Sequence, residues 1–277
     1  MNEEGGKVTL TLDGVPCRLR QGQDFSWLRS YGRVARVWDE QFSGNLCFGM
    51  EGEWGPLFIK YAGAWTVNGM ARPWEAVMTL KNAVPIYQLS HPSLIPLLAH
   101  GPAGEGYAAV FPWIQGQTLR EMGPGIRYIA LEKALKMLDG IFDLHAHLAE
   151  NGYVSVDFSD GNVLMDFDRA LVFDVDLYRR KPAVNDRGRM WGSSRFLAPE
   201  EYQIDAPLDE GTTVYHMGSL AFAFFGDGEG RGPGQWTGPS ALWGVADRAC
   251  RERKEERYPS VRAFLDAWRE GVGRIYW

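Results

Sequence analysis

The sequence predicts an α+β protein of two lobes, a β-rich lobe at residues 1–112 followed by a mostly helical lobe at residues 113–277. Its length of 277 residues is enough for one large domain or two small lobes, and too few for several independent domains. Segments that alternate apolar and polar residues fill the first third of the chain. Segments with apolar residues three and four positions apart dominate the rest.

The first lobe reads as short strands separated by turn-rich loops of about five to seven residues, an arrangement typical of an antiparallel meander. One helix is predicted at 74–89, and Pro85 inside it predicts a kink or a break. The predicted strands are 8–12, 33–38, 46–50, 56–61 and 107–111.

The second lobe begins after a predicted connector at 112–118. Its longest predicted helix, 128–150, carries a continuous apolar stripe that is typical of a helix with one buried face. Residues 226–238 hold six glycines in thirteen positions and are predicted to form a loop. The remaining predictions are short strands around 154 and at 171–173, and helices at 214–225, 240–251 and 261–268.

Composition and charge exclude several classes of protein. The formal net charge of −6 argues against a nucleic-acid or anionic-membrane partner held by bulk charge. The densest apolar run, 220–225, is far shorter than the ~18–20 residues of a membrane span, and no secretory signal is visible. The three cysteines include no C-x-x-C pair, so neither a disulfide framework nor a zinc site is predicted. We therefore expect a cytoplasmic protein.

Acidic and amide side chains recur near two predicted strands of the second lobe. Asp157 lies five residues before Asn162, and Asp174 follows Asn162 by twelve residues. A hairpin of the two strands can bring all three side chains to one edge. There a carboxylate can accept a hydroxyl proton, while an amide oxygen and a second carboxylate hold Mg²⁺. Phosphoryl transfer needs this combination of a positioned acceptor and a metal that neutralises phosphate charge.

These residues, taken with others in the same order, resemble the protein-kinase superfamily over about residues 30 to 270, most closely the bacterial eukaryotic-like Ser/Thr kinases. Asp157 and Asn162 match the catalytic-loop pattern D-x-x-x-x-N, and Asp174 matches the metal-binding aspartate of D-F-G. The other matches are Lys60 for the lysine of V-A-I-K, Gly192-Ser193-Ser194 for the substrate-side loop, Ala198-Pro199-Glu200 for A-P-E, and Arg257 for the arginine that pairs with the A-P-E glutamate.

The resemblance implies a bilobal kinase-like fold that binds ATP and Mg²⁺. It assigns catalytic roles to Asp157 and Lys60, with Lys60 also contacting the nucleotide, and metal binding to Asn162 and Asp174. It also implies a buried, hydrogen-bonded ion pair between Glu200 and Arg257.

The stretch 107–119 looks like the kinase linker that binds adenine through backbone groups. In that alignment Phe111 stands at the gatekeeper position. The carbonyl of Pro112 would accept a hydrogen of the adenine amino group, and the backbone N–H of Ile114 would be the donor. Phe58 replaces the alanine of V-A-I-K, and it either stacks on adenine or fills its pocket. Glu75 is either the partner of Lys60 or a solvated residue at a helix start.

Several positions depart from the family pattern. Ser155-Val156 replaces the His-Arg of H-R-D, and Ser159 replaces a lysine, which removes a positive charge from the γ-phosphate. D-F-G becomes Asp174-Val175-Asp176, and Thr213 replaces an aspartate of the central helix. The phosphate-covering loop contains only Gly44.

Three functions are compatible with these matches and departures. The first is an ATP- and Mg²⁺-dependent kinase of Ser/Thr protein-kinase type. The second is a small-molecule phosphotransferase on the same fold, acting for instance on an antibiotic hydroxyl; Phe58 and Ser159 favour it, whereas Glu200 and Arg257 favour the first. The third is a pseudokinase that binds nucleotide or a partner without turnover, which the scarcity of glycines favours. In the first two the partner is an acceptor that carries a hydroxyl group.

Overall fold

The computed structural model describes residues 7–167, 169–228 and 230–275. These residues form an α+β protein in which helices accompany antiparallel sheets. The chain divides into two compact units, which we call the N unit (residues up to Ser90, and Ile95–Gln115) and the C unit (His91–Leu94, and residues from Gly116 onward). The change of unit at Gln115 falls inside the predicted connector.

The N unit combines a five-stranded antiparallel sheet, a two-stranded hairpin and one α-helix. Its described elements are β1 Val8–Leu12, β2 Val15–Leu19, β3 Arg33–Trp38, β4 Leu46–Gly52, β5 Gly55–Ala62, α1 Pro73–Gln88, β6 Ala99–Ala103 and β7 Gly106–Pro112. The sheet has the strand order β3-β4-β5-β7-β6, and β1 pairs with β2 in the separate hairpin.

The predicted strands and helix of the N unit are confirmed with small shifts at their ends. The two strands that the sequence did not predict, β2 and β6, each contain a proline, which is depleted in strands. β6 is an edge strand, where a missing N–H is tolerated. The predicted break at Pro85 is wrong, because α1 continues to Gln88.

Alternation along the central strands produces the core of the N unit. Phe48, Ile59 and Tyr61 are fully buried and belong to one apolar cluster with side chains of the hairpin β1-β2. Residues two apart on a strand share a face, which is why this cluster leaves the opposite face of β5 for Phe58 and Lys60.

The C unit is mostly helical and carries short antiparallel strand pairs. Its described elements are β8 Gln117–Thr118, α2 Leu119–Met122, α3 Leu131–Glu150, β9 Tyr153–Val154, β10 Val163–Asp166, β11 Arg169–Val172, β12 Arg179–Arg180, β13 Ala183–Val184, β14 Pro207–Leu208, α4 Glu210–Phe225, α5 Ser240–Ala249 and α6 Val261–Gly273. The four long helices match the predicted ones. α3 begins three residues later than predicted because Gly123–Tyr128 forms a 3₁₀-helix.

Aromatic packing between α3 and α6 organises the helical core. The ring of Phe142 lies 4.9 Å from that of Phe264 and 5.1 Å from that of Trp268, in edge-to-face contacts. All three side chains are fully buried. Among the described residues, none of the helices has both the length and the apolar character that crossing a membrane requires.

The strand pairing around the acidic residues differs from the prediction. The strand at Val154 pairs with β12, and β11 pairs with β10, a strand that the sequence reading missed. In the hairpin β10-β11, Val163 stands opposite Val172, and β8 extends the sheet on the far side of β10. The predicted direct hairpin of the two strands is therefore wrong.

Candidate phosphotransfer site

Asn162 and Asp174 lie at the same end of the hairpin β10-β11. Asn162 directly precedes β10, and Asp174 is the second residue after β11. The backbone N–H of Phe173 donates to the carbonyl of Asn162 at 3.0 Å, which ties the two segments together. Asp157 and Asp174 each have a φ of 59°, a left-handed conformation that four other non-glycine residues of the described chain also adopt. Left-handed φ values are uncommon outside glycine and concentrate at functional sites.

Asp157 and Asp174 act on each other electrostatically. Burial, followed by the charge of Asp174, raises the pKa of Asp157 to about 6, against a smaller opposing effect of Arg120. Two carboxylates that share one site cannot both ionise without cost. The result is a carboxylate whose proton affinity lies near neutral pH, which is where a general base works best.

Asn162 is held by a hydrogen-bonded turn. Its Oδ1 accepts the backbone N–H of Ser159 at 2.8 Å and the Ser159 hydroxyl at 3.0 Å. The backbone donor identifies this atom as the oxygen and not the nitrogen of the amide. Because both lone pairs of Oδ1 are engaged, Asn162 can bind a cation through that atom only by giving up a bond to Ser159.

A guanidinium that the sequence reading missed lies beside this turn. Arg120, from α2, donates from Nη2 to the Ser159 hydroxyl at 2.7 Å and from Nε to Asp160 at 3.1 Å. Gly161 permits this approach, since a Cβ there would lie 2.8 Å from Cζ of Arg120. Arg120 thus brings a positive charge beside Ser159 from 39 positions earlier in the chain, and no local pattern signals this contact.

Asp160 belongs to the same turn and binds two arginine side chains. This residue is 3% exposed, and its carboxylate pairs with Arg120 on one oxygen and with Arg195 on the other. One buried carboxylate therefore pairs with two arginines, of which Arg120 acts electrostatically on Asp157. The sequence reading passed over Asp160, although it stands inside the D-x-x-x-x-N match.

A buried polar network supports the backbone just before Asp157. The Ser155 hydroxyl lies 2.7 Å from Nδ1 of His216, whose Nε2 lies 2.7 Å from Oε2 of Glu201. The Ser155 backbone N–H donates to the Thr213 hydroxyl at 3.1 Å, so Thr213 serves as an acceptor in the central helix. The residue types are those of a hydrolase triad, but Ser155 is only 1% exposed, out of reach of an acyl substrate. The network positions the loop.

The predicted ion pair between Glu200 and Arg257 is confirmed. Nη1 and Nη2 of Arg257 donate to the two carboxylate oxygens of Glu200 at 2.9 and 3.0 Å. The remaining N–H groups donate to the carbonyls of Arg251, Gly211 and Glu252, so all five donors are satisfied. Burial alone would raise the pKa of Glu200, but hydrogen bonds and charge from Arg257 outweigh it and hold that pKa below its ordinary value.

In the N unit, Lys60 and Phe58 share one face of β5. Lys60 is 8% exposed and stands between Cys47 of β4 and Ala109 of β7. Phe58 stands between Gly49 and Phe111 and remains half-buried. The alternation of the strand therefore presents an ammonium group and an aromatic ring side by side.

Phe58 belongs to a cluster of half-buried aromatic rings. Its centroid lies 5.4 Å from that of Trp38, which lies 5.9 Å from that of Trp113. Gly49 makes room for this cluster, because a Cβ there would lie 2.8 Å from the Trp113 ring. Partly exposed π-faces of this kind suit a planar ligand such as a nucleobase.

The segment that ends β7 carries the other predicted nucleotide contacts. Phe111 is buried, and its ring packs 4.9 Å from that of Tyr87. Pro112 ends the strand opposite Leu57. Within the described parts of the chain, no acceptor hydrogen-bonds the backbone N–H of Ile114.

Glu75 occupies the first turn of α1. Its carboxylate accepts the backbone N–H of Arg72 at 2.8 Å, and the side chain is exposed. It makes no ion pair with Lys60 in the described part of the N unit. Of the two alternatives, the structure supports the residue at the helix start.

A divalent cation would have few protein ligands here. In residues 7–167, 169–228 and 230–275, no group of three or more His, Cys, Asp and Glu side chains could hold a metal ion. Mg²⁺ usually takes one or two carboxylates together with substrate phosphates and water, so the oxygens of Asp174 and Asn162 suffice chemically. The charge of Asp174 that raises the pKa of Asp157 is one that a cation would offset.

No protein-family model matches the chain.

Proposed function

We propose that the protein is an ATP- and Mg²⁺-dependent phosphotransferase with a bilobal protein-kinase-like fold, which transfers the γ-phosphate to a hydroxyl group. The observation that carries this proposal is the pair Asp157 and Asp174, both with left-handed backbone, beside the guanidinium of Arg120. A proton acceptor, a metal ligand and a fixed positive charge are the elements that phosphoryl transfer requires.

Asp157 is the proposed general base. It orients the acceptor hydroxyl and takes its proton as the acceptor oxygen bonds to the γ-phosphorus, and the bond from that phosphorus to the bridging oxygen of ATP breaks to leave ADP. A carboxylate with a pKa of about 6 is ionised at neutral pH and still basic enough to accept a proton. Arg120 offsets negative charge on the transferred group.

Asp174 and Asn162 are the proposed metal ligands. Bound Mg²⁺ would neutralise the negative charge of the phosphates. Asp174 offers a carboxylate next to Asp157, whereas Asn162 must first release a hydrogen bond from Ser159. Lys60 is proposed to contact the phosphates, and Phe58, Phe111, Pro112 and Ile114 the adenine. The use of ATP fits the proposed cytoplasmic location. The proposed reaction involves no nucleic-acid partner.

Features of both units bear on which type of acceptor is proposed. The bidentate pair of Glu200 and Arg257 supports the Ser/Thr protein-kinase branch. Small-molecule phosphotransferases that resemble protein kinases usually lack the segment that contains Glu200. The half-buried aromatic cluster around Phe58 favours the small-molecule branch. The engagement of Asn162 by Ser159 favours a pseudokinase.

Transfer of labelled phosphate from ATP tests these functions together. We expect label on the protein itself, on a generic protein substrate or on a hydroxylated small molecule, and only with Mg²⁺ present. Asp157→Asn should abolish most of the transfer. Asp139→Asn, at a half-exposed ion pair on α3, is the matched control and should retain it. Mg²⁺-dependent ATP binding without transfer to any acceptor would leave the pseudokinase.

A further inference from the structure

A cavity of about 430 Å³ opens in the C unit, and Asp160 is one of its lining residues. Ligand pockets typically measure about 300–1,000 Å³, so a small molecule or a protein side chain fits. Part of its wall belongs to the predicted glycine-rich loop that begins at Gly226. Arg120 and Asp160, the latter three residues after Asp157, also line the cavity.

The described lining of this cavity is rich in arginine. Among the described residues, its lining includes four arginines and two aspartates, whereas the whole chain has a net charge of −6. Asp160 already neutralises part of Arg120 and Arg195. The other two arginines donate to uncharged groups: Arg127 to the carbonyl of Asp227, and Arg231 to the carbonyl of Arg195 and the hydroxyl of Ser219.

Two aromatic rings pack against the guanidinium of Arg231. Its guanidinium lies 4.9 Å from the ring centroid of Tyr215 and 5.6 Å from that of Phe222. No carboxylate within the described ranges forms an ion pair with Arg127 or Arg231. A guanidinium that is rigid and lacks a counter-ion is suited to bidentate recognition of an anion from a ligand.

We propose that this cavity is the acceptor subsite and that it binds a phosphate monoester group of the acceptor. The inference rests on the proposed function for its catalytic context. A phosphate monoester carries about −1.5 to −2 charges at neutral pH, and the guanidinium groups of Arg127 and Arg231 are suited to bind it. The apolar side chains of Ile126, Phe196 and Phe222 line the same cavity and would contact the body of the acceptor.

Calorimetric titration with phenyl phosphate tests the subsite without ATP or metal. We expect binding that weakens about tenfold in Arg127→Gln and in Arg231→Gln, since each removes a charge-assisted hydrogen bond. Arg253→Gln, at a side chain 74% exposed outside the cavity, should bind like the wild type. Arg127 is exposed, so its variant remains informative if Arg231→Gln fails to fold. Unchanged affinity in a folded Arg127 variant, or equally tight binding of benzoate, would overturn the proposal.

Transfer assays then separate the two sources of such a phosphate. A phosphorylated sugar and a phosphoserine-containing peptide with a second free hydroxyl are compared with their unphosphorylated forms. We expect the phosphate to raise kcat/KM at least tenfold for one of them, and Arg127→Gln to remove that advantage. Equal rates with and without the phosphate would refute the subsite while leaving the proposed function standing. Arginine-dependent binding of phenyl phosphate with no transfer to any acceptor would refute the proposed function instead.

Discussion

Asp157 carries a charge that folding disfavours. Its pKa of about 6 in the folded protein lies above the ordinary value of 3.8. The folded state therefore binds the proton more tightly than the unfolded state, and this group costs stability increasingly as pH rises from about 4 to about 6. A residue retained at such a cost is expected to serve function.

Replacing Asp157 with Asn should separate stability from activity. In metal-free buffer at pH 8 we expect the variant to be more stable by on the order of 1–3 kcal/mol, because the unfavourable charge is gone. The difference should shrink toward pH 4, where the wild type is protonated as well. Under the proposed function, phosphate transfer should fall roughly 10²–10⁴-fold. Denaturant titrations at both pH values check the first effect, and an Asn variant that is less stable at pH 8 would contradict it.

Gly161 provides a way to move Arg120 without removing its charge. A methyl group at Gly161 would lie 2.8 Å from the guanidinium carbon, and the flexible arginine can swing aside at little cost in stability. We expect Gly161→Ala to melt close to the wild type and to lose transfer activity, because the positive charge leaves Ser159. Gly244→Ala is the control, since it adds a methyl group in open space within α5 and should keep full activity. Equal activity of the two variants would remove Arg120 from the mechanism.

At the scale of elements, a buried ion pair ties the segment after Ala198 to the turn before α6. Arg257 has no exposed side-chain surface, and every N–H of its guanidinium has an acceptor. Removing one partner of such a pair leaves the other charge desolvated, which is far more costly than losing a surface ion pair. Breaking this contact is therefore expected to destabilise the protein strongly, even if the intact pair adds little net free energy of folding.

Arg257→Gln should lower the free energy of unfolding by roughly 3–5 kcal/mol at pH 7. Arg253→Gln, four residues earlier and exposed, should change it by less than about 0.5 kcal/mol. Because the pKa of Glu200 is held below its ordinary 4.5, the contribution of the pair is present above pH 4.5 and is lost as pH falls through the folded pKa. The wild type and Arg257→Gln should therefore converge in acid. Unfolding curves from pH 7 to pH 3.5 measure this, and a constant gap would count against the pair.

For the whole molecule, the proposed function links folding to nucleotide binding. A ligand that binds only the folded state stabilises it, by about 2.7 kcal/mol at a hundredfold excess over Kd. We expect ATP with Mg²⁺ to raise the Tm by several degrees, and ATP or Mg²⁺ alone to do much less. Asp174→Ala should abolish the shift, whereas Asp166→Ala, at the opposite end of the hairpin β10-β11, should retain it. An equal shift without metal would favour a pseudokinase.

Element type along the chain was predictable from the sequence because it depends on local periodicity. The strands β3, β4, β5 and β7 and the four long helices follow from patterns of two and of three to four residues. The missed strands are short or contain proline, so their pairing depends on neighbours that no local window includes. The ion pair of Glu200 and Arg257 was predictable only through resemblance, since 57 residues separate its members.

The sequence by itself determined the α+β class, the order of strands before helices, and the set of Asp157, Asn162 and Asp174 as candidates for phosphate chemistry. Only the tertiary structure decided which charge accompanies them. Arg120 reaches Ser159 across 39 residues, and Arg127 and Arg231 line one cavity from segments about a hundred residues apart. Electrostatic interactions act through distance in space, whereas a sequence pattern records distance along the chain. For that reason the acidic candidates could be identified from the sequence, whereas the arginines near them could be identified only from the fold.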